Sequence, residues 1–218
     1  MASRFKVVIF DWDGTLMNSE ARIVSAIQVA AKRCGLPVLS AHQSKQIIGL
    51  SLDRAIGQLY PQAKSSQVAE MAKAYTQHFL YESEVEMQAY EGAVELLVSL
   101  RQAGYLLAVA TGKSRKGLDL VLQKSGFGEY FDITRTPIES ASKPDPLMLN
   151  QILMHLSLKA DQALMVGDTT FDMQMAQSIA MPRVAMSHGV HELERLQTFK
   201  PLASFDHLNE LQAWLLED

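Results

Sequence analysis

The sequence predicts an α/β protein, a parallel-sheet core with a block of helices inserted after its first strand. Three observations lead there. Short β-branched or aromatic runs end in glycine or carboxylate turns, beginning with Lys6–Phe10 (KVVIF). Between residues 91 and 190 such runs alternate with helical periodicity, the pattern of right-handed βαβ units. Residues 20–85 depart from that pattern, with several helical stripes and no convincing strand.

Taken in order, the first strand, Lys6–Phe10, runs into Asp11-Trp12-Asp13-Gly14-Thr15. In the insert, Ile23, Ile27, Ala30 and Ala31 make one apolar stripe. Ile47, Ile48, Leu52, Ile56 and Leu59 make others, interrupted at Gly49, and Val68, Met71, Ala72, Tyr75 and Phe79 continue the theme. The polar flanks, 17–20 and 82–91, suit hinges. The expected division is a Rossmann-like core of residues 1–16 and 89–218 and a helical segment of residues 17–88. Beyond it, Ala93, Leu96, Leu97 and Leu100 recur at helical spacing, and Tyr105–Ala110 (YLLAVA) is a strand that leaves through Thr111-Gly112. Leu118, Val121, Leu122 and Ser125 mark the next helix. Asp145-Pro146 reads as an N-cap followed by proline at the first helical position, opening Leu147–Leu156. Ala163–Val166 is a strand ending in Gly167-Asp168, and Arg183–Met186 is a weaker one.

Composition narrows the function. The chain has 218 residues, 48% hydrophobic and 20% charged, with a net charge of −4. That is ordinary for a globular protein and speaks against wholesale disorder. Mild acidity argues against a nucleic-acid partner. The single cysteine, Cys34, excludes an intrachain disulfide and a cysteine-built zinc site, and its position before Gly35 suits a structural thiol at a helix end. No apolar run approaches the roughly 20 residues that span a bilayer. Val7–Phe10 is shorter than the about 7–15 apolar residues of a signal peptide, so a cytoplasmic protein with no membrane partner is expected. No oligomeric state is assigned.

The polar residues of interest all follow strands or open helices, and ligands of open α/β sheets sit outside the carboxyl ends of the strands. Asp11, Asp13, Asp168 and Asp172 would bring up to four negative charges into one crevice. Unpaired, they would raise one another's pKa values. A divalent cation relieves this, and all-oxygen ligation points to Mg2+ rather than zinc. Thr111 offers a hydroxyl, and the backbone N–H groups after it suit a phosphate near a helix N-terminus. Lys143, in Ser142-Lys143-Pro144-Asp145, balances charge on a carboxylate nucleophile and a phosphoryl oxygen. The set supports phosphoryl transfer through an aspartyl-phosphate.

FDWDGTL, VATGKS, SKPDP and GDTTFD, in this order, resemble the four motifs of the haloacid dehalogenase-like hydrolase superfamily, and the chain is most similar to its phosphoglycolate phosphatase-like branch. The resemblance covers nearly the whole chain, the insert matching a four-helix cap. It implies a hydrolase acting on a small phosphorylated metabolite, with residue roles to match. Asp11 matches the nucleophile. Asp13 matches the general acid and base, its backbone carbonyl a metal ligand. Thr111 matches the phosphate-binding hydroxyl, with the Trp12 and Gly112 amides as further phosphate donors. Lys143 matches the charge-balancing lysine and Asp168 the metal carboxylate. Asp172 matches the last acidic position, a ligand directly or through water. Asn18 stands in DGTLMNS where many relatives carry an acid. Gly49 and Arg54 fall where relatives have a substrate-specificity loop, and Arg54 reads either as a clamp for a substrate carboxylate or as a solvated helix residue.

Two other readings stand beside the phosphatase. A sugar-phosphate mutase of the same superfamily would carry histidine twelve residues after the nucleophile, where this chain has Ile23. A non-catalytic binding protein on this fold would usually have lost one of the acids. Phosphoglycolate, pyrophosphate, nucleoside monophosphates and sugar phosphates all suit relatives of this type. His188 and His191 read as surface or packing residues, and Met165, Met173 and Met175 as core filler.

Overall fold

In the computed structural model, which describes residues 5–217, the chain runs β1 (Val7–Phe10), β2 (Met17–Asn18), α1 (Glu20–Arg33), α2 (Ala41–Lys45), α3 (Leu52–Leu59), α4 (Ser65–Gln77) and a π turn (His78–Glu82). It continues through β3 (Gln88–Ala89), α5 (Ala93–Gln102), β4 (Leu106–Ala110), α6 (Arg115–Ser125), β5 (Ile133–Arg135) and α7 (Leu147–Leu156). The last elements are β6 (Ala163–Gly167), α8 (Thr170–Ser178), β7 (Arg183–Met186), α9 (Leu193–Gln197), β8 (Ala203–Phe205) and α10 (Leu208–Leu216).

Six strands form a parallel sheet in the order β5-β4-β1-β6-β7-β8. This is the predicted Rossmann-like class. Strand β1 is buried along its whole length, and its residues alternate between two cores. Val8 and Phe10 face α5, α6 and α10, whereas Val7 and Ile9 face α7 and α8. Continuous apolar runs such as VVIF are what a strand covered by helices on both faces requires.

The four strands read from the sequence are present within a residue or two. Strands β5 and β8, three residues each, lie at the sheet edges and are too short to carry a periodic signal. At the start of α7, Pro146 is the N-cap rather than the first helical residue, and Asp145 Oδ1 accepts from the Leu147 amide at 2.9 Å.

The helices between β2 and β3 bury their stripes against one another, around Ile27, Ala30, Ile56 and Met71. The two-residue strands β2 and β3 pair antiparallel where this segment leaves and rejoins the sheet domain. The insert therefore has its own apolar core. Val190, from the loop after β7, is buried in that core, and Phe171 packs against it.

Leu97, fully buried between α5 and the sheet, tests the larger core. Leu97→Ala should cost about 2–5 kcal/mol, since the cavity left there collapses only in part. A urea melt reads this as a lower midpoint at unchanged slope.

Candidate active site

The strand order reverses at β1, which has β4 on one side and β6 on the other. At such a point the connections leave in opposite directions and open a crevice at the strand ends. Asp11 lies one residue beyond β1, Thr111 one beyond β4 and Asp168 one beyond β6. Asp172 sits in the first turn of α8, and Lys143 precedes α7.

The structure brings Asp11, Asp168, Asp172 and Lys143 together with no solvent exposure at any of them. Lys143 Nζ lies 2.7 Å from Asp11 Oδ1 and 2.6 Å from Asp172 Oδ1. The Trp12 amide also donates to Asp11 Oδ1, at 2.6 Å. Asp11 Oδ2 is buried and has no hydrogen-bond partner. Asp168 is held on both oxygens, by Thr15 Oγ1 at 2.7 Å and the Val190 amide at 2.8 Å. Asp172 Oδ2 accepts from the Thr169 amide and from Thr169 Oγ1, closing a capping box at the start of α8.

Oxygens of Asp11, Asp168 and Asp172 lie within 4.8 Å of one another. Burial, reinforced by the other carboxylates, raises the Asp11 pKa well above its ordinary value despite Lys143. Burial and the Asp172 charge push Asp168 up to about 7. Burial alone would lower the Lys143 ammonium, but Asp11 and Asp172 outweigh it and raise its pKa. An orphaned buried oxygen among hard oxygen donors, with proton affinity this high, fits a divalent cation. Asp172 has the Lys143 ammonium on Oδ1 and two donors on Oδ2, whereas Asp168 has only neutral donors and Asp11 Oδ2 has none, so the Asp172 carboxylate is the one better suited to the outer sphere of a cation.

Asp13 is nearly buried beside this cluster. Its Oδ1 accepts from Ser19 Oγ at 2.6 Å, and its Oδ2 lies 3.0 Å from Lys113 Nζ. Thr111 Oγ1 accepts from the Lys113 amide at 3.2 Å. Gly112 is pressed against the insert, where a Cβ would overlap the Gly49 carbonyl. Gly49, at φ +102°, packs on Thr169 and Phe171. Nearby, the Ser51 amide donates to Ser142 Oγ at 2.8 Å. Arg54 donates through Nη1 to the carbonyls of Ser142 and Lys143, at 3.3 and 3.2 Å. Its guanidinium thus engages the loop that carries Lys143.

Partners not singled out from the sequence are Lys113, Thr15, Ser19 and Ser142. Lys113 lies inside VATGKS, and only its proximity to Asp13 marks it. His191 is a packing residue, as expected. Its Nδ1 accepts from the Thr170 amide at 2.9 Å and so steadies the start of α8. Met165, Met173 and Met175 are fully buried core residues.

A family model for haloacid dehalogenase-like hydrolases matches residues 8–186. The chain belongs to that family. It is 31% identical to the probable phosphatase IndB of Dickeya dadantii, over 94% of this chain and 91% of that protein. A phosphoglycolate phosphatase of Vibrio parahaemolyticus is 28% identical over 94% of both chains. Among solved structures, a predicted phosphoglycolate phosphatase from Haemophilus somnus superposes with a TM-score of 0.86 at 25% identity, covering 97% of this chain and 98% of that one. Among the described residues of this member of the family, no helix is long and apolar enough to cross a membrane.

The raised acids make stability depend on pH in a definite direction. Asp168 binds its proton up to about 7 when folded, against an ordinary value of 3.8. The folded chain therefore holds more protons than the unfolded chain across that window, and stability falls as the pH rises through it. With chelator present, the melting temperature should drop by several degrees between about pH 5 and about pH 8. Magnesium should restore it at the higher pH, and Asp168→Asn should flatten the slope; differential scanning calorimetry measures all three.

Proposed function

We propose that the protein is a magnesium-dependent cytoplasmic phosphatase that hydrolyses a small phosphomonoester through an aspartyl-phosphate on Asp11. One observation carries this reading. Asp11 is buried with Oδ1 pinned by Lys143 and the Trp12 amide, while Oδ2 has no partner. Such a carboxylate is oriented and desolvated on one side, as a nucleophile must be.

In the first half-reaction, Asp11 Oδ2 attacks phosphorus and the bond to the leaving oxygen breaks. Asp13 gives that oxygen its proton, so the alcohol departs neutral. In the second, water attacks the phosphorus of the aspartyl-phosphate while Asp13 takes the water's proton. Inorganic phosphate leaves and the Asp11 carboxylate returns. Lys143 balances the charge on Asp11 throughout. The Thr111 hydroxyl and the Trp12 and Gly112 amides would hold phosphoryl oxygens. Asp11, Asp168 and the Asp13 carbonyl would hold magnesium, with Asp172 behind them. When bound, the ion neutralises charge on the transferring phosphoryl group.

Residues 17–88 act on this reading as a lid over a core formed by residues 1–16 and 89–218. The contacts of Gly49, Ser51 and Arg54 with the core loops support it, since they join the insert to the strand ends. Gly49 then shapes the substrate end of the lid, and Arg54 fastens the lid to the Lys143 loop. The lone, partly buried Cys34 suits a reducing compartment. The mutase reading finds no support at Ile23, a buried apolar residue of α1 with no acid or base to offer.

Asp11→Asn should abolish turnover of p-nitrophenyl phosphate and formation of the phosphoenzyme while the protein stays folded. Asp13→Asn should lower kcat for an alkyl phosphate by roughly 10²–10⁴-fold. With p-nitrophenyl phosphate, whose leaving group needs less protonation, the phosphoenzyme should accumulate in that variant, because its hydrolysis lacks a base. Acid-quenched labelling distinguishes the two. Normal turnover in Asp11→Asn would remove the covalent mechanism.

A further inference from the structure

We infer that the leaving alcohol of the substrate has an apolar body, and that the enzyme acts on phosphate esters of small hydrophobic alcohols in preference to esters bearing a second anion. The inference rests on the phosphatase reading and concerns what lies beyond the phosphoryl group.

A cavity of about 80 Å³ opens between the insert and the strand-end loops, with Asp13, Gly112 and Lys113 on its core side. Asp13 is the proposed donor to the leaving oxygen, so the rest of the alcohol extends into this space. The insert supplies the opposite wall, chiefly Ile23, Ile27, Ile48, Leu50 and Phe79. Among the described residues, Tyr75 and Thr76 are the only polar side chains in that wall. Thr76 Oγ1 is turned back to the Ala72 carbonyl at 2.8 Å. Burial, with the Asp13 charge nearby, raises the Tyr75 phenol pKa and keeps it neutral. The insert therefore presents an uncharged, mostly aliphatic surface.

A carboxylate or second phosphate in this space would need an available cation, because burying an unpaired anion is costly. Among the described residues, the one lining cation is Lys113. Its Nζ lies 3.0 Å from Asp13 Oδ2 and 4.6 Å from the centre of the Phe79 ring, so it is already engaged, and the ring contact remains when Asp13 carries its proton. The nearby arginines face elsewhere. Arg22 donates to the carbonyls of Phe79 and Val85, and Arg54 to those of Ser142 and Lys143. An alkyl or aromatic body meets no such penalty and gains from leaving water.

The test compares kcat/KM of the full chain with magnesium for methyl, ethyl, propyl and butyl phosphate, phosphoglycolate and pyrophosphate. Each added methylene should raise kcat/KM about fourfold until the cavity is filled. Butyl phosphate should exceed phosphoglycolate and pyrophosphate by at least about tenfold. A flat alkyl series, or phosphoglycolate or pyrophosphate equal to or better than butyl phosphate, overturns the inference. Cleavage of p-nitrophenyl phosphate in the same preparation separates the two readings. If it is cleaved, the phosphatase reading survives such a result; if it is not, both fall. Leu52 lines the same cavity and is only partly buried. Leu52→Arg should raise the ratio of phosphoglycolate to butyl phosphate by about tenfold or more. An unchanged ratio in a variant with native circular dichroism would remove this cavity as the leaving-group site.

Discussion

Three buried carboxylates share one buried ammonium at the centre of this molecule, and most of the local architecture follows from keeping them there. Asp11, Asp168, Asp172 and Lys143 have no solvent exposure, so water does not screen their charges. Lys143 bridges Asp11 and Asp172, leaving a surplus of negative charge if all three acids ionise. The protein answers with fixed donors: Thr15 and the Val190 amide on Asp168, and Thr169 on Asp172. It does not answer fully, for Asp11 Oδ2 has no donor and both Asp11 and Asp168 are pushed towards protonation. A site that neutral side chains could satisfy would not be built this way. The unmet demand is for positive charge, which a cation or a substrate-borne proton supplies.

The same demand explains backbone features that look unrelated in the sequence. A Cβ at Gly14 would overlap the Asp168 carboxylate, and one at Gly167 would overlap Asp172. Gly14 also adopts φ +87°, a conformation L side chains rarely take. The chain approaches the acids so closely that only glycine fits. Asp11 and Asp168 leave β1 and β6, neighbours in the sheet though distant in sequence. Parallel pairing brings their carboxyl ends to the same edge, so the topology itself assembles the charge cluster before any side chain chooses a partner.

This is why the residues that converge at the strand ends were legible in the sequence and their supporting partners were not. Asp11, Thr111 and Asp168 each follow a β-rich run, and Lys143 precedes a helix start, so local pattern plus the strand-end rule suffices to bring them together. The insert was legible for a similar reason, its stripes having helical period where the flanking chain has strands. The Lys113–Asp13 pair and the Thr15–Asp168 bond depend on which side chains meet across loops, and no local periodicity encodes that. Arg54 illustrates the limit. Its helix position allowed a clamp or a solvated residue, and the structure turns it instead to two carbonyls of the Lys143 loop. The short β5 and β8 were missed because three residues at a sheet edge carry neither period nor length.

Charge and shape are divided between the two parts of the chain. Every acid of the cluster, and both lysines paired with acids there, come from strand-end loops and the start of α8, outside the insert. The insert contributes aliphatic and aromatic side chains facing Asp13. Lys113 joins the two, pairing with Asp13 while its ammonium lies over the Phe79 ring of the insert. An ammonium held on a ring face is attracted most strongly when water is excluded, and the Lys113 side chain is nearly buried. The surface proposed to select the alcohol and the acid proposed to protonate it therefore meet through one lysine. A change in the insert that displaced the Phe79 ring would be felt at Asp13 through Lys113, without altering any residue of the charge cluster.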